Sequence, residues 1–335
     1  MRLSVLDQAP IASGSTGAEA VRNSLDLAIH VERLGYHRYW VAEHHGTPAL
    51  ACASPEALIG PIAQATTTIR CGSGGVMLPH YSPRKVAETF SMLSGLYPGR
   101  IDLGIGRAPG TDRLSAFALQ RDRRIPSPDD FPEQLTELLG YTRDSLPPDH
   151  PFRRISPLPG HPAAPEIWLL GSSPDSGTWA AEMGLPYAFA DFINPDGAHL
   201  VARYRERFVS SSAPDAPRVI AAVWVTCGET DEEARRLSSS ARMMFRLLYQ
   251  GQLIAVPTVD EALRFLASSP SPAQLSRRRR RNIVGSPETV RDQILEAARE
   301  YDADEVMIVT ITHSHEARRR SYELIAEAFD LKRTP

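Results

Sequence analysis

Arg2-Leu3-Ser4-Val5-Leu6-Asp7 is a short apolar run, Ala18 to Leu34 is a long amphipathic one, and Arg38-Tyr39-Trp40-Val41-Ala42 is short and apolar again. In the long stretch Ala20, Leu25, Leu27, Ile29, Val31 and Leu34 lie roughly on helical spacing with polar residues between them, and Gly35 stands where a helix ends. The three pieces read as strand, helix, strand, and strict alternation of this kind argues for a parallel sheet with helices outside it.

The same unit recurs outward from this start. Arg38 to Ala42 precedes Pro55 to Thr66, Ile69 to Leu78 precedes Pro83 to Leu93, and Arg100 to Ile105 precedes Asp129 to Tyr141. Glu166 to Leu170 is followed by Pro174 to Met183, and Tyr187 to Ala190 by Asp196 to Val209. Val219 to Thr226 comes before Asp231 to Tyr249, and Glu305 to Thr310 before Ser314 to Phe329. Eight strand-like runs, each with a helical partner, make the α/β reading specific: a (β/α)8 TIM barrel, formed by one domain over residues 1–335. Ser286-Pro287-Glu288 marks the start of an extra helix between the seventh and eighth units. The length exceeds a minimal barrel of about 250 residues. The excess falls in insertions after strands 4 and 7, over Pro109 to Asp130 and Gly251 to Asn282, and in the Pro-rich stretch Ser145 to Pro165. Residues 251–282 are expected to be a mobile active-site loop.

Composition narrows the function. Lys+Arg is 37 against Asp+Glu 40, a net charge of −3, with 42% hydrophobic and 23% charged residues. That is an ordinary globular balance and argues against a nucleic-acid surface. Cys52, Cys71 and Cys227 are too few and too scattered for a disulfide framework or a CxxC motif, which fits a reducing cytoplasm. Asp7 and Gln8 interrupt the first apolar run too early for a secretory segment, and no run approaches the roughly 18 apolar residues that span a membrane. A cytoplasmic enzyme is expected.

In a barrel of this type the active site lies at the C-terminal ends of the strands. Glu43-His44-His45 occupies such an end and offers acid/base chemistry, although histidines in a loop also serve structural roles. Without an HExxH motif or spaced partner ligands, no metal is expected. Gly171-Ser172-Ser173-Pro174-Asp175-Ser176 reads as a strand end followed by a helix start, either a phosphate site or a plain N-cap. Gly72-Ser73-Gly74-Gly75 lies within a strand, where glycine marks either a ring lying on the backbone or a bend of the barrel wall. Arg277 to Arg281 reads as a solvated charge run rather than a phosphate clamp.

Three stretches then form one pattern: Tyr39-Trp40-Val41-Ala42-Glu43-His44-His45, Gly72-Ser73-Gly74-Gly75-Val76-Met77-Leu78-Pro79, and Pro98-Gly99-Arg100-Ile101-Asp102-Leu103-Gly104-Ile105-Gly106-Arg107. In this order the chain resembles the bacterial luciferase-like flavin-dependent monooxygenases. Gly106-Arg107-Ala108-Pro109-Gly110-Thr111-Asp112 points to the single-chain relatives of the alkanal monooxygenase α chain. The resemblance continues through Gly171 to Pro186 and Val284 to Val290, nearly the whole chain.

The resemblance implies reduced FMN as cofactor, supplied by a separate flavin reductase, with O2 as second substrate. One oxygen atom would pass through a C4a-(hydro)peroxyflavin to a small apolar organic substrate of the aromatic or polyketide kind, by hydroxylation, epoxidation or attack on a carbonyl. His44 matches the histidine beside the reactive edge of the flavin, with Glu43 or a backbone group orienting it. Gly74 and Gly75 match a cis peptide or bulge against the ring, and Gly106 lies beside it. Arg107 and Arg121, with Ser172, Ser173 and Ser176, match the phosphate site. Gln8, His45, Met77 and Tyr81 are expected to meet the substrate, and Met77, Tyr81 and Phe117 favour an apolar one. Gly106 stands where luciferase itself has a reactive cysteine, and Ser172 replaces a glutamate, so light emission is not expected. A homodimer through helices near Pro55 to Thr66 and Pro83 to Leu93 is also implied. Two alternatives stay open: an F420-dependent dehydrogenase of the same fold, which transfers hydride without oxygen, and a non-catalytic flavin-binding relative.

Overall fold

The computed structural model describes residues 1–107, 112–120, 123–124, 129–155, 157–210, 216–268 and 282–332. Arg121 and the run Arg277 to Arg281 lie outside these residues. The strands are β1 (Arg2–Asp7), β2 (Arg38–Val41), β3 (Arg70–Met77), β4 (Ile101–Gly106) and β5 (Glu166–Gly171), followed by β6 (Tyr187–Ala190), β7 (Val219–Cys227), β8 (Asn282–Gly285) and β9 (Glu305–Val309). All pairings are parallel. The ring runs from β1 through β6 in chain order, closes through β6 on β7, and returns by β9 to β1. Eight strands therefore form a closed TIM barrel. Among the described residues β8 pairs only with the end of β7, Trp224 to Cys227 against Asn282 to Gly285.

The boundaries expected from sequence agree with the barrel strands to within one residue at each end. Helix Gly17–Arg33 begins at Thr16, whose hydroxyl accepts from the Glu19 amide at 3.2 Å, and ends before Gly35. Gly35 has a φ of +88° and lies against the backbone of Lys332, so a side chain there fails on both conformation and space. Ser286 caps the extra helix Pro287–Glu300 by accepting from the Thr289 amide at 3.4 Å. Two segments differ from expectation. The stretch read as a loop from Gly251 contains helix Val259–Ser268 and ends in β8, and the insertion after β4 contains helix Arg113–Leu119. No described helix is long and apolar enough to cross a membrane.

Alternation along the strands separates two cores. Outward-facing Val5, Tyr39, Val41, Leu103, Leu169 and Phe189 pack under the helices. Inward-facing Leu6, Trp40, Trp168, Ile220, Ala222 and Met307 fill the barrel. At the N-terminal end of the strands the filling is ionic. The Arg38 guanidinium, 2% exposed, reaches Asp102 and Glu166 at 2.8 Å each and Glu305 at 3.0 Å. Arg70 pairs with Asp102 at 2.5 Å and Arg218 with Glu166 at 2.6 Å. Trp40 Nε1 donates to Asp102 at 2.9 Å, Trp168 Nε1 donates to Glu166 at 3.0 Å, and Ser4 donates to Glu305. Burial alone would raise Glu166, but the Arg38 and Arg218 charges bring its carboxyl down to about 2. Buried ions are tolerated only when paired and hydrogen-bonded; every charge of this cluster is paired, and among the described residues Arg218 Nε is the buried donor in it left without a partner.

Replacing Arg38 with Met leaves Asp102 and Glu305 buried without that cation. Urea unfolding at pH 7 should show a loss of about 3–5 kcal/mol. The loss should shrink toward pH 5 as Glu305, which burial already holds above the usual carboxylate range, takes up a proton; an unchanged midpoint would mean the cluster contributes nothing.

Candidate active site

Two adjoining cavities open at the C-terminal ends of the strands. The inner one, about 630 Å³, is bounded by Leu6, Gly74, Gly75, Gly106 and Leu170, and extends to Arg107 and Ser172. The outer one, about 450 Å³, is bounded by Leu50, Trp224, Met244, Phe245 and Ile254. Gln8, His44, Phe192 and Ile193 line both, so they form the seam.

His44 follows β2, and its amide donates to the Cys52 carbonyl at 2.9 Å. Its Nδ1 is buried without a hydrogen-bond partner among the described residues, which leaves Nε2 as the ring nitrogen toward the cavities. Burial, reinforced by neighbouring His45, lowers the imidazole pKa to about 4. At neutral pH the ring is uncharged and either gives or takes a proton.

Glu43 does not orient His44. Successive side chains of an extended segment point to opposite sides. The Glu43 carboxylate is accordingly fully buried away from the cavities. It accepts from the Met77 amide at 2.9 Å and the Tyr81 hydroxyl at 3.0 Å, and bonds His45 Nε2 at 2.7 Å. Glu43 is thus a clamp between the ends of β2 and β3. Tyr81, expected to meet the substrate, is held in this clamp and lines neither cavity. Gln8 lines both cavities, Met77 the inner one and His45 the outer one. Asp7, the neighbouring strand-end acid, is directed outward to Arg318 at 2.6 Å.

The glycine-rich β3 has a structural reason. A Cβ on Gly74 would run into Leu6 and come within 3.1 Å of Trp40 Cβ, and one on Gly75 would sit 2.8 Å from the Gly104 carbonyl oxygen. The pairing with β4 shifts register between Ser73 and Val76, and the Gly74-Gly75 peptide is cis. The wall bends here, and the backbone of both glycines faces the inner cavity. Gly106 also lines it, and a Cβ there would meet Met77 Sδ at 3.4 Å.

At the far end of the inner cavity, helix Pro174–Glu182 starts with Ser173 as its N-cap. The Ser173 hydroxyl accepts from the Ser176 amide at 3.3 Å, and the Ser176 hydroxyl donates to the Ser173 carbonyl at 2.8 Å and bonds Tyr187 at 2.9 Å. Two of the three serines are therefore engaged in building the turn. Ser172 is half-buried and lines the cavity, and Arg107 lies over the Trp179 ring at 5.0 Å.

Sequence reading missed the aromatic wall of the outer cavity. Trp224 meets Phe192 at 5.5 Å and Phe245 at 4.9 Å between ring centroids, both edge-on. Phe192 and Ile193 follow β6 and obey the same strand-end rule that selected His44. Among the described residues no group of three or more His, Cys, Asp or Glu side chains could hold a metal ion.

The fold is a closed TIM barrel with two adjoining cavities at its strand ends and His44 on the seam between them. The luciferase-like monooxygenase family profile matches residues 1–304, and the chain belongs to that family. It is 37% identical to the N-acetyl-S-alkylcysteine monooxygenase of Bacillus subtilis, covering 98% of each chain. The solved structure of apo-MsnO8 superposes with a TM-score of 0.92 at 43% identity, covering 99% of both chains. The FMN complex of the 3,6-diketocamphane monooxygenase oxygenating component of Pseudomonas putida shares the fold, with a TM-score of 0.71 at 19% identity, 100% of this chain and 99% of that one.

His44 also affects stability. Its folded pKa, about 4, lies below the ordinary 6.5, so the unfolded chain binds more protons between these values and stability falls as pH drops through that window. His37, lowered to about 4 by burial and by Arg38, acts in the same sense. His44→Gln should therefore lose less stability between pH 6.5 and 4 than the parent, as thermal unfolding reads it; an identical pH profile would contradict the assigned environment.

Proposed function

We propose that this chain is a flavin-dependent monooxygenase that takes reduced FMN and O2 and transfers one oxygen atom to a small apolar organic substrate. The observation that carries the reading is the position of His44, neutral and without a ring partner among the described residues, on the seam of two cavities of different chemistry. The inner cavity suits a flat ring with an anionic tail: glycine backbone and Leu6, Ala42 and Leu170 on one part of its wall, Arg107 and Ser172 on another. The outer, aromatic cavity suits the apolar substrate.

In this reading Arg107, the Ser172 hydroxyl and the backbone at the start of helix Pro174–Glu182 hold the FMN phosphate, while Gly74, Gly75 and Gly106 let the ring approach the wall. Ser173 and Ser176 shape the turn beneath the phosphate. Bound reduced FMN supplies the electrons that activate O2, so that one oxygen atom enters the substrate and the other leaves as water. His44 holds or moves a proton at Nε2 where the two cavities meet. Glu43 fixes the ends of β2 and β3 from behind and presents His45 to the outer cavity. Trp224, Phe245 and Met244 exclude water around the substrate.

The same reading has reduced FMN arriving from a separate flavin reductase, in a cytoplasm where the three buried cysteines stay free. It pairs two copies of the chain through helices Pro55–Ala65 and Pro83–Leu96, the second of which exposes Met92 and Leu96.

The test supplies the chain with FMN, a reductase and NADH under 18O2, against small apolar thioethers, ketones and aromatics. Product should gain one 18O atom, only when FMN and O2 are both present. His44→Ala should lower this turnover about 100-fold or more while FMN affinity stays within about twofold. Unchanged turnover in that variant, or oxygen-independent reduction of F420 by the parent chain, would overturn the assignment.

A further inference from the structure

Arg107 is held by two neighbours in addition to its place on the cavity. Its guanidinium lies 5.0 Å over the Trp179 ring, which is itself tilted against Phe131 at 5.3 Å, and its NH1 is 3.4 Å from Oδ2 of Asp175. Asp175 stands in the first turn of helix Pro174–Glu182, beside the Ser172 and Ser173 that border the inner cavity. Both members of the pair are substantially open to solvent, at 40% for Arg107 and 56% for Asp175. A pair so exposed contributes little to stability. A phosphate that reaches Arg107 at this end of the cavity therefore meets a carboxylate already beside the same cation.

We propose that Asp175 is an affinity-determining residue of the cofactor site: its carboxylate competes with the FMN phosphate for Arg107 and repels it, so that FMN is bound loosely enough to exchange on each cycle. This rests on the reading that the inner cavity takes FMN with its phosphate toward Arg107. The helix start supplies attraction through its amides, and Asp175 offsets it with a negative charge at the same turn. The charge acts on the phosphate alone, because the ring lies at the glycine end of the cavity. A unit negative charge facing a phosphate across hydrated, salt-screened surroundings changes affinity by a factor of about five.

The experiment is equilibrium dialysis of the purified chain with oxidised FMN and, separately, with riboflavin, which has the same ring and no phosphate. The parent should bind FMN more tightly than riboflavin. Asp175→Asn should tighten FMN about fivefold at low salt, leave riboflavin unchanged, and lose its advantage as salt rises. Asp175→Ser, which keeps a helix-compatible polar residue without an amide donor, should behave the same way if charge is the cause. FMN affinity unchanged or weakened in both variants, with the parent still preferring FMN over riboflavin, would overturn the role of Asp175 alone. Equal affinity of the parent for FMN and riboflavin would overturn the phosphate site, and the role of Asp175 with it.

Discussion

The guanidinium of Arg38 sits inside the barrel at the N-terminal end of the strands, bonded to carboxylates from β4, β5 and β9. Asp102 and Glu166, which accept from it, also accept from the indoles of Trp40 and Trp168. The ionic floor thereby fixes both tryptophans, whose rings meet edge-on at 5.7 Å and form the next layer. Trp40 in turn packs its Cβ 3.1 Å from where a side chain at Gly74 would start, and Leu6 overlaps that position outright. The requirement to satisfy one buried cation is thus transmitted upward, layer by layer, to a bare backbone wall at the inner cavity.

At the rim a buried acid, Glu43, performs the equivalent task. Glu43 turns away from the cavities and takes donors from the end of β3 and from His45, so the strand ends are held together from outside the site. His44, the next residue, faces the opposite way by simple alternation and reaches the seam without a polar partner for its ring among the described residues. One residue stabilises and the adjacent residue is left available for chemistry. This division places the acid in the clamp and the middle histidine on the seam of the two cavities. Membership in the luciferase-like monooxygenase family fits the same arrangement.

Much of this was legible in the sequence. The barrel strands are short apolar runs bounded by turn residues, and their number and alternation with helices determine closure; β8 escaped because Asn282-Ile283-Val284-Gly285 is only four residues long and stands at the end of a polar insertion. Helix Val259–Ser268 carries a start signal of its own in the sequence. Thr258 accepts from the Glu261 amide at 3.3 Å, an N-cap followed by acids, but the Pro/Ser/Arg-rich residues after it dominated the reading. His44, Gly74, Gly75, Gly106, Arg107 and Ser172 all fall on the inner cavity because strand ends are a positional rule. The partners of Glu43 were not legible, since Met77 and Tyr81 are 34 and 38 residues away and only the pairing register brings them together. The internal bonds of Ser173 and Ser176, and the approach of Asp175 to Arg107, likewise depend on a turn whose donors and acceptors the sequence leaves unassigned.

His44 lies on the boundary between the inner and the outer cavity, for which we propose the cofactor and the substrate respectively. The most direct measurement is a crystal structure of the chain soaked with FMN. The account predicts ring density in the inner cavity against Gly74 and Gly75, the phosphate beside Arg107 and Ser172, and His44 Nε2 at the edge of the ring that faces the outer cavity. Flavin density in the outer cavity between Trp224 and Phe245, or a phosphate remote from Arg107, would contradict it.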